Sequence, residues 1–119
     1  MADDADVRRI ALALPEVQAE EGTERFLVAG KAFVWCWRER VPEQRTKVER
    51  PDVLVVRVPQ ESDKFELCAA DPEVFFTEPH YDGYRAVLVR LARIGVPELT
   101  EVLTESWRCA APRRLLDPR

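Results

Sequence analysis

Apolar residues recur at helical spacing near both ends of the chain, and each set predicts a helix. Val7, Ile10, Ala11 and Leu14 form one apolar face of a first helix over residues 6–14, which Pro15 ends. Towards the other end, Pro97 stands at the first position of a last helix that Pro112 ends. The predicted buried stripe of this last helix is Leu99, Val102, Leu103, Trp107 and Ala110.

Between these helices, short runs rich in Val, Phe and Trp predict strands. The first two cover residues 25–29 and 32–37, and the Gly30-Lys31 pair between them indicates a hairpin. Further strands are predicted at 52–58, 74–76 and 84–91, a polar loop at 38–52 and a turn at 78–83. Ser62 is the predicted cap of a short helix over residues 63–70, with Phe65, Cys68 and Ala69 facing inward.

The order of these elements is helix, three strands, helix, two strands, helix. Strands joined by hairpins are antiparallel, and amphipathic helices cover one face of such a sheet. We therefore predict an α+β sandwich with a single domain over residues 1–119, about five antiparallel strands and all helices on one side. The length of 119 residues suits one domain with one hydrophobic core.

Alternation along the strands divides side chains between the two sheet faces. It groups Phe33, Trp35 and Trp37 on one face of their strand, and it places Arg57 and Arg90 on a common face that is the candidate open side. An aromatic stripe beside arginines on an open face would suit single-stranded nucleic acid. Large aromatic side chains are more often core residues, so we expect the stripe to pack under the helices.

Charge changes this picture through its distribution more than through its total of −4. Residues 25–50 carry seven basic and three acidic groups, and residues 85–119 carry seven and four, whereas the other two stretches are acidic. Positive stretches suit phosphate partners. The candidate phosphate contacts are Lys31, Arg38, Arg40, Arg45, Lys47, Arg50, Arg108, Arg113 and Arg114.

Candidate catalytic chemistry is sparse. Cys36, Cys68 and Cys109 are far apart, contain no Cys-x-x-Cys pair, and are expected to be reduced thiols without a metal. The densest polar and aromatic cluster is His80, Tyr81 and Tyr84, to which we add Trp35 as a candidate pocket for a small molecule or a protein partner. No nucleophile–base pair is evident, so we expect neither an enzyme nor a cofactor.

Several stretches, taken in order, resemble the MmcQ/YjbR family of small bacterial proteins. They are residues 7–16, 26–33, 69–77, 79–84 and 87–91, followed by a helix that carries Trp107-Arg108 and Ala111-Pro112. The resemblance covers nearly the whole chain. It implies a CyaY-like (frataxin-like) α/β sandwich and a description as a DNA-binding protein, which in this family rests on structural analogy.

The sequence leaves three binding functions open. The first is weak, non-specific DNA binding through the basic residues above, and the second is the candidate pocket around residues 80–84. The third, implied by a frataxin-like fold, is metal binding by acidic residues, which we rank lowest because the first helix carries acids only at its start. No signal segment and no membrane-spanning run is evident, and we expect a cytoplasmic monomer.

Overall fold

The helices and strands were located in a computed structural model, which describes residues 1–20, 24–40 and 47–116. The helices are α1 (Asp4–Ala13), α2 (Glu61–Ala70), α3 (Val96–Ala110) and the single turn α4 (Arg113–Leu116). The strands are β1 (Val17–Ala19), β2 (Arg25–Val28), β3 (Lys31–Arg40), β4 (Lys47–Arg57), β5 (Phe75–Phe76) and β6 (Ala86–Arg90). Short 3-10 turns at Pro79–Tyr81 and Leu91–Arg93 flank β6.

All six strands form one antiparallel sheet in the order β1-β2-β3-β4-β6-β5. The prediction of an α+β fold with an antiparallel sheet is confirmed, with one more strand than expected. The additional strand is β1, whose three residues are too few to show an alternating pattern. The β2–β3 hairpin turns at Ala29 and Gly30, where φ is +50° and +81°, the two positive values that a tight hairpin turn requires.

The predicted loop over residues 38–52 is wrong at both ends. β3 continues to Arg40 and β4 begins at Lys47, so the two strands pair over a long ladder. The register shifts after Cys36, because Trp37 pairs with Arg50 while Cys36 pairs with Leu54. Pro51 lies in the unpaired stretch of β4, where its missing N–H costs no ladder hydrogen bond.

Helices α1 and α3 cover one face of the sheet, as predicted. Val7, Ile10 and Ala11 of α1 are buried there, together with the stripe of α3 that consists of Leu99, Leu103, Trp107 and Ala110. Val102, the fifth predicted member of the stripe, is half-buried against the same core. At the start of α1, the Asp3 carboxylate accepts the backbone N–H of Asp6 at 2.9 Å, and the Asp6 carboxylate accepts the backbone N–H of Asp3 at 3.0 Å. This reciprocal pair is a capping box.

Helix α2 presents a different side from the one predicted. It begins at Glu61, after Gln60, so Ser62 lies within its first turn and does not cap it. Phe65 is 57 % exposed and Ala69 is also exposed, so the prediction is wrong for these two residues. It is confirmed for Cys68, which packs against the helix-covered core together with Leu67. The fully buried residue of α2 is Lys64, since its ammonium is satisfied by backbone carbonyls. No helix in the described ranges is long and apolar enough to cross a membrane.

Candidate nucleic-acid interface

A β-bulge in β3 decides which aromatic side chains face the helices. Phe26 of β2 pairs with Val34, and the next residue, Leu27, pairs with Ala32, so Phe33 is an extra residue in β3. The Phe33 carbonyl accepts a hydrogen bond from the Ser106 hydroxyl of α3 at 2.7 Å. Phe33 is therefore fully buried beneath the helices, and it does not share a face with the two tryptophans that follow it.

Trp35 and Trp37 lie on the opposite face of the sheet, so the expectation that they pack under the helices is wrong. They pack on a second buried cluster that contains Val53, Val55, Ala86 and Leu88. Phe76 and Tyr81 complete that cluster, which contains no residue of α1, α2 or α3. We call this second side of the sheet the open face.

The aromatic rings on the open face contact one another in two groups. The Trp35 and Tyr81 centroids are 6.4 Å apart, and the Trp35 Nε1–H donates to the Tyr81 hydroxyl at 3.2 Å. Tyr81 in turn contacts Tyr84 at 6.0 Å, edge to face. The second group is Trp37 and Phe76, at 6.4 Å. All three distances lie in the range of favourable ring contacts.

Three arginines lie on the same face as these rings. Arg25 is directly opposite Trp35 in the β2–β3 pair, and directly opposite residues share a face. The Arg90 guanidinium carbon lies 4.0 Å from the Phe76 ring centroid, and Nη1 of Arg90 donates to the carbonyls of Pro72 and Glu73. Arg57 follows Val55 by two residues and donates through Nε to the Ala32 carbonyl at 2.9 Å.

The buried Lys64 holds the turn that carries the two tyrosines. Its Nζ donates to the carbonyls of Tyr81 at 2.8 Å and Tyr84 at 3.3 Å, and the residue is 1 % exposed. Hydrogen bonds from a charged donor are about twice as strong as neutral ones. Lys64 therefore fixes the backbone of this turn against α2 and fixes the place of the two rings beside β6.

The structure brings together most of the predicted pocket. Tyr81 is in ring contact with both Trp35 and Tyr84, and Tyr84 is 61 % exposed. Whether these residues bind a ligand stays a prediction. His80 lies in the 3-10 turn that carries Tyr81, and its side chain lies outside the described part of the chain. These rings form a surface cluster on the open face that is continuous with Trp37 and Phe76 through the apolar cluster beneath them.

The backbones of the predicted phosphate contacts that the structure describes lie in three parts of the fold. Lys31 is at the β2–β3 turn, whereas Arg38, Arg40, Lys47 and Arg50 belong to the far end of the β3–β4 ladder. At about 3.3 Å per strand residue, Lys31 and Arg40 are roughly 30 Å apart. Arg45 and the side chains of the four ladder residues lie outside the described residues.

The three C-terminal candidates lie away from the open face or are already paired. Arg108 is exposed on α3, which covers the other face of the sheet, and Arg113 is exposed on α4. Arg114 forms a bidentate ion pair with Glu16, in which Nη1 and Nη2 donate to the two carboxylate oxygens at 2.7 and 2.9 Å. The hydrogen bonds from Arg114 lower the pKa of Glu16 and raise that of Arg114.

The cysteines and acidic residues offer little chemistry in the described ranges. Cys36 is buried, and burial raises the pKa of the half-buried Cys68 and Cys109 thiols, which disfavours the nucleophilic thiolate. Within those ranges, no three His, Cys, Asp or Glu residues lie together as a metal site. Asp6 is engaged by Arg9 at 3.0 Å, and this contact lowers its pKa.

Sequence reasoning missed Arg25, which lies on this face, and Lys64, which holds the turn beside it. Arg25 lies in the positive stretch, and only its register with Trp35 distinguishes it from the other basic residues there. Lys64 carries no sequence signal, because a lysine on a short polar helix is ordinarily exposed.

Comparisons with known proteins give one family and several similar sequences. The sequence profile described as YjbR matches residues 12–109. Proteins of Mycobacterium bovis and of two Mycobacterium tuberculosis strains are 41 % identical to the chain over 122 aligned positions, which cover 98 % of the chain and 94 % of each relative. Each of these relatives is described as an uncharacterised protein. No solved structure matches the chain, and the CyaY-like, frataxin-like detail of the fold stays a prediction.

Proposed function

The chain belongs to the YjbR family, and from that premise we propose that it is a non-enzymatic binding domain whose ligand is nucleic acid. The observation that supports this proposal is the open face, where aromatic rings and three arginines lie together. The phosphate contacts are then assigned to Arg25, Arg57 and Arg90. This proposal differs from the nine candidates of the sequence, five of which have side chains outside the described residues.

The hydrogen-bonding state of these arginines supports the assignment. A guanidinium has five N–H donors, and Arg57 uses only Nε in the contacts of the described residues. Within the described ranges Arg90 donates only through Nη1, and the ring of Phe76 supports its guanidinium group. An arginine that is held in place but not saturated suits phosphate, because less conformational freedom is lost on binding.

The strand positions on the open face also favour an anionic ligand. Those that the structure describes with their side chains contain arginine, aromatic, aliphatic and glutamine residues, but no carboxylate. The chain as a whole nevertheless carries a net charge of −4. An overall negative protein can bind phosphate on such a face, but the total charge opposes tight association. The proposal is accordingly for weak binding.

A small planar ligand is the second candidate, and the ring contacts of Trp35, Tyr81 and Tyr84 favour it. Such a ligand would stack on the rings and need few phosphate contacts. The two candidates differ in salt dependence, because only a polyanion releases many counterions when it binds. A dissociation constant that does not change with salt concentration would favour the small ligand.

Replacing Arg25 tests the phosphate assignment. We expect Arg25→Ala to weaken binding of a labelled oligonucleotide. We also expect the slope of log K against log salt concentration to fall in magnitude by about 1, the value for one lost phosphate contact. The matched control is Arg108→Ala, which removes an exposed arginine from the helix-covered side. Fluorescence anisotropy over a salt series measures both quantities. Equal effects of the two substitutions would contradict the assignment, since they would show only a change in total charge.

A further inference from the structure

We propose that the open face binds single-stranded nucleic acid in preference to duplex, with unpaired bases stacking on the row of rings Trp35–Tyr81–Tyr84. This inference rests on the proposed function and adds that the nucleic acid is single-stranded. It is carried by the width of the sheet, by the exposure of the rings and by the way Lys64 holds them.

The open face is too wide to enter the major groove of a duplex, so its rings do not reach the bases there. Arg25 on β2 and Arg90 on β6 are separated by three strand spacings, about 14 Å at 4.8 Å per spacing, and the six strands together span about 24 Å. The major groove of DNA is about 12 Å wide and accepts a helix or a two-stranded ribbon. A six-stranded face therefore meets a duplex only at its backbone.

The bases of a duplex present only their edges to a protein, because their faces are covered by neighbouring base pairs. An unpaired base presents its whole face, and aromatic side chains on a sheet are a common platform for it. Tyr84 is 61 % exposed and is held edge to face against Tyr81, so part of its ring is open to a stacking partner. Trp35 and Tyr81 are half-buried and continue the row towards β3.

The arrangement of charge suits a polymer that alternates a ring with a phosphate. Arg25 lies beside Trp35 at one end of the row, and Arg90 lies over Phe76 on the same face, three strands away. A strand that crosses the sheet between them would place bases over the rings and phosphates near the guanidinium groups. Stacking is tolerant of base identity, so we infer little sequence preference.

The buried Lys64 makes the row a preformed surface. The backbone that carries Tyr81 and Tyr84 is an exposed turn, and two bonds from the Lys64 ammonium tie it to α2. A platform that is already ordered loses less entropy when the ligand binds. Lys64 is thus a positioning residue for this face and does not contact the ligand.

The test compares one oligonucleotide as a single strand and as a duplex, against the whole chain and two variants. Tyr84→Ala removes the most exposed ring of the row, and Phe65→Ala removes a ring of similar exposure, 57 %, from α2. We expect the chain to prefer the single strand by about tenfold or more, and Tyr84→Ala to weaken single-strand binding by about 5- to 100-fold. Duplex binding by Tyr84→Ala and single-strand binding by Phe65→Ala should change by less than about twofold.

Each alternative outcome overturns a distinct statement. Equal binding of duplex and single strand, with no effect of Tyr84→Ala, would contradict the stacking row and leave the proposed phosphate contacts in place. Absence of binding to either form at low salt would remove the proposed function itself. Light scattering that shows a dimer, which Tyr84→Ala converts to a monomer, would assign the face to a second copy of the chain. Circular dichroism and the Tm of Tyr84→Ala verify that the variant is folded.

Discussion

Phe33→Ala is expected to lower the free energy of unfolding by about 3–5 kcal/mol, the usual cost of truncating a fully buried phenylalanine. Phe33 has no exposed surface, and it packs in the core beneath α1 and α3. The β-bulge places it there, since strict alternation would group it with Trp35 on the open face. A loss of this size is a large part of the stability of a small domain, which is about 5–15 kcal/mol in total.

Urea unfolding followed by tryptophan fluorescence measures this loss. The matched control is Phe65→Ala, which removes the same side chain from an exposed site on α2 and should cost less than about 1 kcal/mol. Similar losses in the two variants would show that Phe33 is not in the helix-covered core. In that case the bulge would be misplaced, and the single aromatic stripe expected from the sequence would be correct.

Lys64→Ala is expected to cost about 3–5 kcal/mol, although lysine is ordinarily a surface residue whose removal is neutral. Removal of the buried aliphatic part of the Lys64 side chain accounts for part of this cost. The remainder arises because the carbonyls of Tyr81 and Tyr84 lose a charged donor, at about 1.5–3 kcal/mol per bond before relaxation. Lys64→Met retains the apolar stem and removes only the ammonium, and we expect it to cost about 1.5–3 kcal/mol.

The control for this series is Lys31→Ala, which removes an exposed lysine at the β2–β3 turn and should change stability by less than about 0.5 kcal/mol. Thermal and urea unfolding compare the three variants. If Lys64→Met is as stable as the original chain, the ammonium does not hold the turn, and the positioning role of Lys64 is wrong. If Lys64→Met is destabilised but still folded, it should also bind the oligonucleotide more weakly.

Periodic patterns predicted most of the fold. The helical stripe of α3 and the alternation in β4 and β6 were predicted correctly, because each of those elements buries an unbroken apolar side. Arg57 and Arg90 were assigned to the open side on the same grounds, and the contacts of their strands agree. The extent of β3 and β4 was not predicted, since charged residues continue both strands beyond the core.

The candidate site was harder to predict, because it depends on a single extra residue. The bulge at Phe33 sends this side chain and the two tryptophans to opposite faces, and no residue type in the run marks the bulge. The partners of Trp35 are equally remote in sequence, since Tyr81 is 46 positions away. Only the pairing of β4 with β6 brings the 79–84 turn beside β3.

The indole N–H resonances of the three tryptophans test the central claim most directly, in a 15N NMR titration with a short single-stranded oligonucleotide. Trp35 and Trp37 lie on the open face, whereas Trp107 lies among the helices, where its Nε1–H donates to the Pro15 carbonyl at 3.0 Å. Binding on the open face predicts that the Trp35 and Trp37 signals shift with the oligonucleotide while the Trp107 signal stays in place. A shift of Trp107 alone, or no shift of any indole at low salt, would contradict it.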